Sequence, residues 1–146
     1  EYKINDQYFS FFYSLGLLPL FSYLFYKHGP QNFLTIISDL RLERIIHYFL
    51  MFFLGVFCAH YLGEKAFFWS IDLWSKLVFF PLSLFFSCLF SIIINNIYDI
   101  DIDKISNTKR PLVTNSINLK DYKKIAFVSL FLSFFYFSSR TNTFLH

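Results

Sequence analysis

Asn95, Asp99 and Asp103 stand four residues apart in the stretch Asn95-Asn96-Ile97-Tyr98-Asp99-Ile100-Asp101-Ile102-Asp103. On a continuing helix each is displaced by only ~40° and ~6 Å from the last, so three oxygen-bearing side chains share one face. Carboxylates that close repel one another. A hard divalent cation relieves the repulsion, most naturally magnesium shared with substrate phosphates. The spacing therefore predicts one half of a metal-diphosphate site.

Other readings of the same acids are available. Read with period two, Asp99, Asp101 and Asp103 would gather on an extended chain, although continuity with the preceding apolar run favours a helix. An EF-hand calcium loop matches at its first three ligand positions. It fails where Lys104 and Arg110 replace the glycine and the final glutamate. The plainest alternative is that these acids solvate a helix end beside Lys104, Lys109 and Arg110. Asp39 and Glu43, also four apart, are weaker candidates for further carboxylates, because Arg41 and Arg44 neutralise them locally. His47 and His60 are too far apart to share a helical site and read as ordinary packed histidines. Tyr98 reads as an interface anchor.

The element that must position the acids is apolar. Of the 146 residues 55% are hydrophobic, 24% aromatic and only 16% charged, a composition unlike that of ordinary soluble domains. No charged residue lies between Asp6 and Lys27, between Arg44 and Glu64, or between Lys76 and Asp99, and each gap is close to the ~20 residues that cross a bilayer as a helix. A fourth, shorter gap separates Lys124 from Arg140. Backbone groups in hydrocarbon must pair internally, and no barrel-like alternation is visible, so helices are required. The expected fold is all-α: a polytopic transmembrane helix bundle in one domain over 1–146, with about four spans near 8–26, 45–62, 77–97 and 125–139. Gly29 and Pro30 should end the first span, residues 31–44 should form an interfacial helix, and Trp69 and Trp74 should sit in a short connector at the membrane interface.

Segments 27–44 and 99–124 hold three and six Lys and Arg residues, against Lys3, Lys65, Lys76 and Arg140 on the other side. The excess of positive charge places the aspartate-rich loop in the cytoplasm of a multi-pass protein. A net charge of +3 without a basic patch interleaved with aromatics gives no case for nucleic-acid binding. Cys58 and Cys88 lie inside expected spans and read as small apolar packing residues.

Asn95-x-x-x-Asp99-x-x-x-Asp103, followed by Arg110-Pro111-Leu112, resembles the first aspartate-rich motif of the UbiA family of intramembrane prenyltransferases and the Arg-Pro that follows it. The resemblance covers roughly residues 41–139. It implies an all-helical membrane enzyme in which Asn95, Asp99 and Asp103 hold Mg2+ and the diphosphate of a prenyl donor, Asp99 and Asp103 being catalytic. Lys109 and Arg110 would bind the phosphate oxygens, and the prenyl group would pass to an aromatic or other lipophilic acceptor among membrane lipids. Two departures stand out. Asn96 occupies a position where the family commonly has Asp, which predicts weaker metal binding. Thr114-Asn115-Ser116 stands where a Pro-Ser-Gly turn often follows.

The family also has about twice as many helices and a second aspartate motif that is not found here. The expectation is therefore an N-terminal part of a larger bundle, inactive by itself. Glu1 at the start and the closeness of Arg140–His146 to the last span point the same way. The competing functional classes are a non-catalytic membrane-anchoring or cation-binding protein and part of a transporter.

Overall fold

A computed structural model describes residues 2–63 and 71–141, with side chains described for 11–13, 15–27, 29–63 and 76–138. Among the described residues six helices follow one another: α1 (Tyr2–His28), α2 (Pro30–Asp39), α3 (Leu42–Leu62), α4 (Ile71–Tyr98), α5 (Ile100–Ser106) and α6 (Leu119–Thr141). The described residues are helical or in turns and contain no strand, which agrees with the all-α expectation.

Local chemistry explains the breaks. Gly29 still donates its N–H to the Phe25 carbonyl at 3.1 Å, and Pro30, which has no N–H to leave unpaired, opens α2. Leu40 and Arg41 then interrupt the helical path, with Arg41 at φ −81° and ψ 73° before α3 begins. Asp39 and Glu43 consequently lie on separate helices. The start of α6 is capped by Asn118, whose Oδ1 accepts the Asp121 N–H at 2.8 Å while its amide donates to Asp121 Oδ2 at 2.7 Å. Trp74 falls inside α4 rather than in a connector, because the helix starts at Ile71; Trp69 lies outside the described residues.

Among the described residues two helical stretches are long and apolar enough to cross a membrane, α3 and Lys76–Tyr98 of α4. Only 6% of the apolar window in α3 and 17% of that in α4 is buried within the protein, whereas the core helix of a soluble domain would be mostly covered. Phe53, Leu54 and Phe57 on α3 and Phe127, Phe131 and Phe134 on α6 are exposed in the same way. The remaining two expected spans fall on α1 and α6, which are long enough but less apolar.

The chain divides into two units, residues 1–39 with 96–122, and residues 40–95 with 123–146. In the second unit α4 and α6 are joined by a reciprocal serine pair. Ser83 Oγ donates to the Ser133 carbonyl at 2.9 Å, and Ser133 Oγ donates to the Ser83 carbonyl at 3.1 Å. Around them Tyr136, 1% exposed, stacks on Phe86 at 5.8 Å and meets Phe79 at 6.0 Å. Cys58 on α3 is exposed and Cys88 on α4 partly so, and neither is in a disulfide. In the first unit Phe33 of α2 packs edge-on against Phe25 and Tyr26 of α1 at 5.6 and 5.8 Å. The same unit holds the polar residues considered next.

Candidate functional site

The aspartate-rich segment is helical on both sides of a single-residue break. α4 ends at Tyr98, Asp99 takes φ −90° and ψ 10°, and α5 resumes at Ile100. The Asp103 N–H donates to the Asp99 carbonyl at 2.7 Å, so one helical turn links the two acids despite the break. An extended period-two arrangement is thereby excluded, since Asp101 and Asp103 are both inside α5. Asp101 points elsewhere: it pairs with Lys104 at 2.6 Å, and the Asp101 side chain is 86% exposed.

Each sequence-derived site residue has a definite place. Asn95 is exposed on α4 in the second unit, and Asp99, also exposed, belongs to the first. Asp103 is partly buried, with Oδ2 3.9 Å from Arg110 Nε, and Lys109 is exposed. Arg110 faces inward, and its Nη1 donates to Asp39 Oδ1 at 2.7 Å. Asp103 and Arg110 are thus brought together, whereas Arg110 already has a carboxylate partner in the protein.

That partner opens a cluster the motif did not reveal. Asn96, 2% exposed, directs one amide hydrogen to Asp39 Oδ2 and the other to the Tyr122 hydroxyl oxygen at 2.8 Å. Tyr122, fully buried, passes its own hydroxyl hydrogen to Asp39 Oδ2 at 3.2 Å. Asp39 therefore accepts from an amide, a phenol and a guanidinium. Burial pushes the Tyr122 hydroxyl well above the ordinary tyrosine range, with the Asp39 charge adding to the rise against the lowering effect of the Asn96 hydrogen bond and Arg110. The phenol consequently keeps its proton and serves as a donor. Asn96 is a buried donor of two hydrogen bonds, a role that the motif alone could not reveal.

The loop after Arg110 is tight. Thr114 donates its N–H to the Arg110 carbonyl at 2.9 Å, Ser116 donates to the Pro111 carbonyl at 3.0 Å, and Leu112 and Ile117 are buried. Asn115 takes φ 55°, the left-handed conformation that Asn tolerates better than most residues after glycine. The turn therefore forms without the glycine of a Pro-Ser-Gly sequence.

Asp99 and Asp103 present only hard oxygen donors. Among the described residues no three His, Cys, Asp or Glu side chains converge on one point. Such a donor set fits a cation that keeps several waters and shares one or two carboxylates with a phosphate ligand, and does not fit an all-protein cage.

Comparison with known proteins gives one partial likeness. A stretch of 58 residues, 40% of this chain, is 43% identical to digeranylgeranylglyceryl phosphate synthase of Methanocaldococcus jannaschii. The match spans 20% of that enzyme's length. No family model matches the chain, and no solved structure matches it.

Proposed function

We propose that the chain is part of a membrane-embedded prenyltransferase of the UbiA type, with the aspartate-rich loop at the cytoplasmic face. The observation that carries this reading is an apolar helix of membrane length ending in Asp99 and Asp103, one helical turn apart. The likeness to a synthase whose product is digeranylgeranylglyceryl phosphate supports it.

In this reading Asp99 and Asp103 would hold Mg2+ at the donor's diphosphate, Asn95 would be the third oxygen on spacing alone, and the exposed Lys109 would reach the phosphate oxygens. Such a cation, when bound, would supply charge neutralisation to the departing diphosphate. The carbon–oxygen bond of the prenyl diphosphate breaks, diphosphate leaves with the electron pair, and the allylic carbon is captured by a nucleophilic atom of the acceptor, which then loses a proton. Apolar helices exclude water, which would otherwise capture the same carbon. The acceptor is lipophilic, and a prenylated glyceryl phosphate is the first to test, given the product of the matched synthase.

The test uses the full-length protein in membranes with radiolabelled prenyl diphosphates and Mg2+. Asp99→Ala and Asp103→Ala should each abolish metal-dependent transfer, while Asp101→Ala should remain within a few-fold of wild type because Asp101 is exposed and paired with Lys104. Equal loss at all three positions would rule out the shared helical face. The second reading, a membrane-anchoring protein without turnover, is favoured by the largely uncovered apolar windows of α3 and α4. It predicts no transfer with any donor.

A further inference from the structure

Asp39 has no part in the chemistry above, yet it touches both ends of the segment that carries Asp99 and Asp103. On the N-terminal side it takes an amide hydrogen from Asn96, three positions before Asp99. On the C-terminal side it holds Arg110 at 2.7 Å, and the Nε of that guanidinium lies 3.9 Å from Asp103 Oδ2. Arg110 Nε is buried and has no hydrogen-bond partner. The guanidinium therefore stands between two carboxylates and is bonded to one of them. With the Asp39 charge removed, the nearest anion left to it is Asp103, and a charge-assisted pair there would cancel the negative charge that a divalent cation needs.

Asn96 completes the arrangement. A carboxylate at position 96 would lie within hydrogen-bond distance of Asp39 in a cluster where Asp39 is only 10% exposed, and two like charges so placed cannot both stay ionised without penalty. An amide instead donates to both Asp39 and Tyr122.

We propose that Asp39 is a positioning residue of the candidate site: it takes the Arg110 hydrogen bond that Asp103, 3.9 Å from the same guanidinium, would otherwise accept, so that Asp103 keeps its oxygens for a cation, and Asn96 is its matched partner. The proposal rests on the prenyltransferase reading and extends it to residues outside the aspartate motif.

The experiment takes the full-length protein in detergent or nanodiscs and measures its Tm without metal, then the shift produced by titrating Mg2+ with inorganic pyrophosphate. The variants are Asp39→Asn, Asn96→Asp and the exchange of both. Each single variant should lower the metal-free Tm by several degrees. Asp39→Asn should also weaken apparent Mg2+ affinity about tenfold, the usual scale for groups that orient metal ligands. The exchange, which restores one amide and one carboxylate across the same contact, should recover most of both losses.

Asp39→Asn with a lowered Tm but wild-type Mg2+–pyrophosphate affinity would overturn the proposal, because Asp39 would then serve stability alone. An exchange no better than the worse single variant would overturn the matched pairing. A wild-type protein that shows no Mg2+–pyrophosphate shift at all would overturn the prenyltransferase reading, and this inference with it, a result distinct from either of the others.

Discussion

Both units of this chain use side-chain hydrogen bonds between distant segments, but they use different chemistry. In the second, Ser83 and Ser133 exchange bonds with each other's carbonyls, all partners are neutral, and aromatic rings from Phe79, Phe86 and Tyr136 surround them. In the first, Asp39, Asn96, Arg110 and Tyr122 form a closed network around one carboxylate and one guanidinium. Neutral hydrogen bonds add to packing that is already sufficient, whereas a buried charge makes its partner obligatory. Removing either kind of group should therefore have very different consequences.

The largest effect should come from Arg110→Ala. It leaves the Asp39 charge without its cation in a mostly buried place, and breaking such a pair costs about 3–5 kcal/mol. Equilibrium unfolding of the purified protein in mixed micelles measures this, and a loss under ~1 kcal/mol would show that solvent reaches the pair and screens it.

A middle-sized effect is expected for Tyr122→Phe, roughly 1–3 kcal/mol, since Asn96 loses an acceptor and Asp39 a donor. This variant also sharpens the contrast through pH. The folded protein holds the Tyr122 proton to a higher pH than the unfolded chain does. Stability from this group is thus intact below the ordinary tyrosine value of ~10 and is lost as pH rises above it. Tyr122→Phe should flatten that part of the decline, followed by thermal unfolding between pH 8 and 11.

Smallest of all should be Ser83→Ala, about 0.6 kcal/mol on the scale of hydrogen bonds between membrane helices. If the same unfolding measurement gave it a cost equal to that of Arg110→Ala, the distinction between the two units would collapse.

The legibility of these regions in the sequence differs for related reasons. The helices at Leu42–Leu62 and Lys76–Tyr98 follow from charge-free runs, and the end of α1 follows from Gly29 and Pro30. These are local properties that a single stretch of chain carries on its face. The aspartate motif is equally visible, but not its interruption at Asp99 or the inward turn of Arg110, which the family resemblance assigns to phosphate. Asp39 was noticed only as one of a pair with Glu43, a pairing that the break at Leu40 and Arg41 removes. By its place in the motif Asn96 is a weakened ligand, and Tyr122 carries no signal in the sequence.

Sequence by itself determined the all-α class, the membrane-length apolar helices and the cluster of acids at the end of one of them, because hydrophobic runs and four-residue spacing act within a few turns of chain. Only the tertiary structure decided that Asp39 meets Asn96, Arg110 and Tyr122, partners 57, 71 and 83 residues further along. Nothing in the spacing of a chain states which distant polar groups will share a buried place; that choice is made when desolvated groups must find partners, and it appears only once the helices are packed.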